Sequence, residues 1–158
     1  MYAKMSKKGQ VTIPKDIREK LQMKQPKKVY LIDTNIILRF LLGDHSEFSP
    51  KATAFMSEVS DGTIKAEILD IVTTECVYVM EKFYRIPREK ISEKLSKILN
   101  FSGIVNSNRS ELIQALLKFE TSNADIVDCI LAAMSSSLRV FVSFDKDMLK
   151  LKAVTETL

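Results

Sequence analysis

An α/β fold built on a parallel sheet is the architecture this sequence predicts, and three observations predict it. Short apolar runs alternate along the chain with segments of helical periodicity, the pattern of successive βαβ units. Two of those runs, 29–32 and 140–144, are nearly continuously apolar, as strands buried on both faces are. The glycines and prolines fall at the joints, with Gly43 and Gly62 as stops and Pro50 and Pro87 as starts.

Taken in order, residues 29–33 read as a strand and 35–42 as a helix stopped by Gly43. Residues 50–59 form the next helix, with Pro50 in its first turn and a stop near Gly62. Residues 66–72 are a strand. Thr73 or Thr74 then caps a helix reaching Tyr84, with Val77, Met80, Phe83 and Tyr84 at helical spacing. Pro87 opens a helix with Ile91, Leu95, Ile98 and Leu99 on one face. A short strand at 103–105 precedes helices at 110–119 and 125–138, and strands at 140–144 and 153–158 close the chain.

Composition narrows the function. The chain has 158 residues, 46% of them apolar, enough for one ordinary domain with a full core plus a short appendage. Residues 1–28 hold nine Lys/Arg and two acids, net +7, and residues 29–158 hold fifteen and eighteen, net −3. A basic arm on a mildly acidic body points to an anionic partner for the arm, although a disordered tail has the same composition. Two cysteines, Cys76 and Cys129, are too few for a disulfide framework and lack zinc-site spacing. The expected setting is cytoplasmic with reduced thiols. No apolar stretch is long enough to span a membrane, so no membrane role is expected. His45 is the only histidine, which excludes a histidine-built metal site, and no nucleophile motif accompanies it.

Four acids share a positional logic. Asp33 and Asp145 end strands, while Glu75 and Asp128 lie in the first turns of helices that follow strands. Strand ends and the helix starts after them lie on one edge of a parallel sheet, where active sites of such folds gather. Asp125, one helical turn before Asp128, could face the same way. Clustered carboxylates repel and raise one another's pKa, and a hard divalent cation, Mg²⁺ or Mn²⁺, relieves that conflict. Such a site suits phosphodiester hydrolysis. The competing reading is a set of helix caps complementing the helix dipole. It suffices for Asp125 and is an even match for Glu75, but not for acids that close apolar runs, as Asp33 and Asp145 do. Asn35 is open to the same capping reading.

The segments VYLIDTNIILRFLLGD, TTECVYVMEKFYRIPREKI, NADIVDCILAA and VFVSFDKD together resemble, in order and spacing, PIN-domain ribonucleases of the VapC toxin type. The resemblance covers about 130 residues, 29–158. It implies a PIN-like three-layer sandwich with a five-stranded parallel sheet between helices, and a Mg²⁺- or Mn²⁺-dependent endoribonuclease. Residue by residue it makes Asp33, Glu75, Asp128 and Asp145 the four catalytic acids and metal ligands, with Asp125 as a companion and Thr34, Asn35 and Ser143 as supporting groups. Ser143 stands where the family often has Thr. The resemblance also implies an RNA substrate, a homodimer and a cognate antitoxin that occludes the acids. The stripe Ile36, Ile37, Phe40 and Leu41 could be core or a dimer face. Cys76 and Cys129 follow proposed ligands, but adjacent helical residues diverge by about 100°, so core packing is their expected role. Lys82, Arg85 and Arg88 could touch RNA phosphates or form a solvated face.

The first 28 residues are a separate matter. MSKKGQVTIPKDIREKLQMK resembles the first half of the swapped-hairpin fold of AbrB-type antitoxins, and Lys7, Lys8, Lys15 and Arg18 match its basic positions. The second half of that fold is missing, because the next strand is needed by the nuclease sheet. The expected division is thus 1–28, a basic AbrB-like arm with weak DNA binding at most, and 29–158, the PIN nuclease. The rival functions are a DNA-binding autoregulator whose PIN body serves for dimerisation, and a PIN nuclease of RNA processing outside toxin systems.

Overall fold

A computed structural model describes residues 28–157 together with Lys4–Met5, Val11–Thr12, Pro14 and Ile17. Within the arm, β1 (Lys4–Met5) pairs antiparallel with β2 (Val11–Thr12). Lys7, Lys8, Lys15 and Arg18, expected as arm contacts, lie outside the described residues. The remaining elements are β3 (Val29–Leu31), α1 (Thr34–Leu42), α2 (Phe48–Asp61), β4 (Lys65–Glu67) and α3 (Asp70–Tyr78). The π-helical turn Val79–Phe83 extends α3. Then come α4 (Arg88–Leu99), α5 (Arg109–Thr121), α6 (Ile126–Met134), β5 (Phe141–Ser143), the 3₁₀ helix Lys146–Leu151 and β6 (Thr155–Thr157).

Helix ends follow local chemistry. Gly43 takes φ +62° and returns its N–H to Arg39 O at 3.1 Å, closing α1 as the sequence predicts. Gly62 closes α2 in the same left-handed conformation, φ +86°. Pro87 caps α4, whose Ile91, Leu95, Ile98 and Leu99 are all buried, each such side chain worth roughly 1.5–3 kcal/mol. Their neighbours in the core include Met56, Met80, Leu112, Leu116 and Phe119. Helices α4, α5 and α6 pack in succession, and α1 packs on α2.

Three boundaries differ from the sequence reading. Helix α3 begins at Asp70, with Leu69 as its cap and Thr73 buried in its first turn, so the strand ends at Glu67 and Glu75 sits one turn further along the helix than expected. Asn106 explains the early end. Its side chain accepts from Ile68 N–H (3.0 Å) and donates to Ile68 C=O (2.7 Å), taking the place of a neighbouring strand. Helix α6 stops at Met134, and Ser136 pairs with Arg139 in a turn. The 103–105 strand is reduced to a parallel bridge between Ala66 and Ile104.

The sheet is organised in two parts. Strand β3 pairs parallel with β4, and Ile104 bridges to the far side of β4. Strand β5 pairs parallel with β6. Each of the five predicted strand regions contributes at least one parallel-paired residue, but among the described residues no hydrogen-bonded ladder joins β3 to β5. The expectation that the runs 29–32 and 140–144 are buried on both faces is corrected here, since Val140, Val142 and Phe144 are exposed as well as the first strand. Val29, Tyr30 and Leu31 are 46%, 43% and 66% exposed, because among the described residues β3 has a partner on one side only; Ile32, at 3%, is where the chain enters the core.

Candidate active site

Asp33 is the N-cap of α1. It leaves β3 in an extended conformation and accepts the Asn35 N–H at 3.1 Å. The cap is therefore Asp33, and Asn35 is the residue it caps. Thr34 next to it is buried, and its hydroxyl donates to Glu75 Oε2 at 2.5 Å. That bond ties the end of β3 to the middle of α3 and orients one carboxylate. Burial first, and then the negative charges of Glu75 and Asp33, push the pKa of the buried Cys76 thiol up to about 12. Cys76 and Cys129 are both buried free thiols, the core role expected of them.

The second group of acids stands at the other end of the candidate site. Asp125 caps α6, accepting the Val127 N–H at 3.0 Å. Asp145 caps the 3₁₀ helix, accepting the Asp147 N–H at 2.8 Å, and its own N–H is held by Ser143 Oγ at 2.9 Å. Asp125, Asp128, Asp145 and Asp147 line a cavity of about 510 Å³. Asp128 is half-buried there, and its pKa is raised by desolvation first and then by the charges of Asp125 and Asp145. Asp147 was not singled out in the sequence; it ion-pairs with Lys150 at 2.7 Å. The only signal for it was the second Asp of the VFVSFDKD segment.

The two groups meet at Asp125. A second cavity, about 580 Å³, is lined by Thr74, Glu75, Glu81 and Asp125 along with Ile71, Tyr78 and Val127. The structure thus brings together Asp33, Thr34 and Glu75 on one side, and Asp125, Asp128, Ser143 and Asp145 on the other. Among the described residues no three acids, histidines or cysteines converge on one cation-sized point. The physical reason is the sheet: adjacent strands lie about 4.8 Å apart, and β3, which delivers Asp33, is not paired with β5, which delivers Asp145.

The donor set is nevertheless specific. The exposed candidates are carboxylates, both thiols are buried, and His45 is occupied in the α1–α2 loop, where Nδ1 accepts the Glu47 and Phe48 N–H groups. Oxygen donors with like charges already raising Asp128 fit a hard divalent cation such as Mg²⁺ or Mn²⁺.

Of the basic candidates, Arg85 is exposed, with φ +56° ending the π turn. Lys82 pairs with Glu81 at 2.9 Å. Arg88 is half-buried, bonded to Glu81 Oε1 at 2.7 Å and to three backbone carbonyls, with its guanidinium carbon 4.1 Å from the Phe119 ring centroid.

Comparison with known proteins places this geometry. Residues 30–154 match the PIN domain family, and the chain belongs to that family. It is similar to a VapC ribonuclease of Aquifex aeolicus (strain VF5), 28% identical over 124 residues, which are 77% of this chain and 90% of that protein. No helix among the described residues is long and apolar enough to cross a membrane.

Proposed function

We propose that the chain is a divalent-cation-dependent endoribonuclease of the VapC toxin type, acting on single-stranded or loop RNA. The observation that carries the reading is that Asp33, Glu75, Asp125, Asp128 and Asp145 all fall inside the PIN match, with Asp125 shared between the cavity of Asp128 and Asp145 and the cavity of Glu75, and Glu75 bonded to a buried threonine beside Asp33. Similarity to a protein named VapC ribonuclease supports the choice of RNA as substrate.

In this reading Asp33, Glu75 and Asp128 hold Mg²⁺ or Mn²⁺, with Asp125 and Asp145 beside them. The cation, when bound, activates water and neutralises charge on the phosphodiester. Thr34 fixes the Glu75 carboxylate. Asn35 and Ser143 supply hydrogen bonds at the two strand ends. Tyr78 and Ile71, 62% and 73% exposed beside Glu75, offer apolar surface to an unpaired base.

The working enzyme also joins its two sheet parts. Among the described residues strand β3 has an open edge, with Val29, Tyr30 and Leu31 exposed, and β5 has one with Val142 exposed and Val140 and Phe144 beside it. Laying β5 against β3 gives the order Ile104, β4, β3, β5, β6. That is a five-stranded parallel sheet that removes both open edges and brings Asp145 toward Asp33. Residues 29–158 constitute the nuclease and residues 1–28 a basic AbrB-like arm, whose contact with DNA is secondary. A homodimer regulated by a cognate antitoxin completes the proposal.

The test is cleavage of a mixed, structured RNA pool by purified protein with Mn²⁺ or Mg²⁺, with EDTA, and by the Asp33→Asn variant. Cleavage that needs the cation and is lost in the variant supports the reading. Cation-independent cleavage, or none by folded protein, removes it.

A further inference from the structure

Arg88 is the most heavily engaged charged side chain near the acids, and none of its bonds is made to an acid of the site. Its Nε donates to Glu81 Oε1 at 2.7 Å. Its Nη1 lies 2.8 Å from Ala124 O, 3.0 Å from Ser122 O and 3.3 Å from Phe119 O. The guanidinium carbon lies over the Phe119 ring, 4.1 Å from its centroid. These carbonyls belong to the last turn of α5 and to the short link before α6. Carbonyls at a helix C-terminus lack intrahelical donors, and a cation there also complements the helix dipole. The link is held from its own side as well. Ser122 Oγ donates to Lys118 O at 2.7 Å and accepts the Ala124 N–H at 3.2 Å.

Two features make this more than a helix-end contact. The next residue after Ala124 is Asp125, the cap of α6, with Asp128 one turn beyond. At the other end of the clamp, Glu81 sits in the π-helical turn that extends the Glu75 helix, and it lines the same cavity as Glu75 and Asp125. Single π turns inside helices are frequent at functional sites. Arg88 therefore joins the element bearing Glu75 to the element bearing Asp125 and Asp128.

We propose that Arg88 is a positioning residue: bonded to Glu81 and to the carbonyls of Phe119, Ser122 and Ala124, it sets the Asp125–Asp128 helix start against the Glu75 helix. A lysine cannot reproduce it, since an ammonium lacks the planar fork that reaches an acid and several carbonyls at once. For its catalytic consequence the inference rests on the nuclease reading; for its structural one it does not.

The experiment compares the wild type with Arg88→Met, Arg88→Lys and Glu81→Gln by three readouts. Amide hydrogen exchange is expected to quicken about tenfold at Val127 and its neighbours in Arg88→Met while the amides of α1 keep their wild-type rates, a local opening rather than global loss. Mn²⁺ affinity is expected to fall about 10- to 100-fold, as for groups that orient ligands, with Arg88→Lys and Glu81→Gln between Met and wild type. RNA cleavage is expected to fall in kcat with KM little changed. A folded Arg88→Met with wild-type exchange at Val127 and wild-type Mn²⁺ affinity overturns the proposal. Where Arg88→Met does not fold, Glu81→Gln decides by the same two measures. A wild type that cleaves no RNA removes the nuclease reading and leaves the clamp to be judged by exchange alone.

Discussion

The Thr34 hydroxyl and the Glu75 carboxylate, 41 positions apart in the chain, meet at 2.5 Å. A buried threonine donor to an exposed carboxylate holds one acid rotamer at the cost of little else. Thr34→Val keeps the shape and removes the donor. Stability should fall by about 1 kcal/mol, and RNA cleavage by about 10- to 100-fold, the usual loss when a ligand loses its orienting partner. Thermal melting and single-turnover cleavage check the two parts separately.

Asp128 supplies a prediction with a definite sign. Its pKa is raised in the folded chain, by desolvation and then by Asp125 and Asp145. The native state thus holds the proton more tightly than the unfolded state. The stability this contributes is fully present below the unfolded pKa and is lost as pH rises through the folded one. At neutral pH, without a divalent cation, Asp128→Asn should therefore melt higher than the wild type. Mn²⁺ should reverse the order, adding about 2.7 kcal/mol to the wild type at 100 times its dissociation constant. Calorimetry with and without Mn²⁺ reads both.

Asn106 stands in for a strand by bonding both backbone groups of buried Ile68. Asn106→Ala leaves that N–H and C=O without partners, which should cost roughly 2–4 kcal/mol. Urea unfolding with an unchanged slope would give the value directly.

The joined sheet is testable at one amide. Ile32 N–H bonds to Glu67 O at 3.0 Å, and successive strand amides point to opposite sides, so Leu31 N–H faces the open edge. When β5 closes on β3, hydrogen exchange at Leu31 should slow by about 100-fold or more in protein carrying Mn²⁺ and RNA. Fast exchange at Leu31 in an actively cleaving sample would mean that β3 works as an edge strand.

Much of this was legible in the sequence, for reasons that can be stated locally. The stop of α1 is written in Gly43, and the buried face of α4 in Ile91, Leu95, Ile98 and Leu99; the sequence reading places the start of α1 at Asn35, whereas Asp33 is its cap. The acids stand out because a carboxylate that ends an apolar run needs a partner; for Asp33 and Asp145 the structure supplies one in the capping N–H groups of Asn35 and Asp147, a capping role that the sequence reading sets aside for these two. What was not legible depended on partners distant in the chain. Asn106 shortens β4 from 38 residues away. Arg88 looks like one member of a surface run until the carbonyls of the α5–α6 link appear beside it. Exposure of β3 is a question of which strands pair, and an apolar run does not encode its neighbour.

The central claim is that these acids cleave RNA through a bound divalent cation. Its most direct measurement is the rate of RNA cleavage plotted against calorimetric Mn²⁺ occupancy, for the wild type and Asp128→Asn. The account predicts a rate that rises with occupancy, falls to background in EDTA, and drops by at least about 100-fold in the variant. Full occupancy without cleavage, or cleavage undiminished in EDTA or in Asp128→Asn, would contradict it.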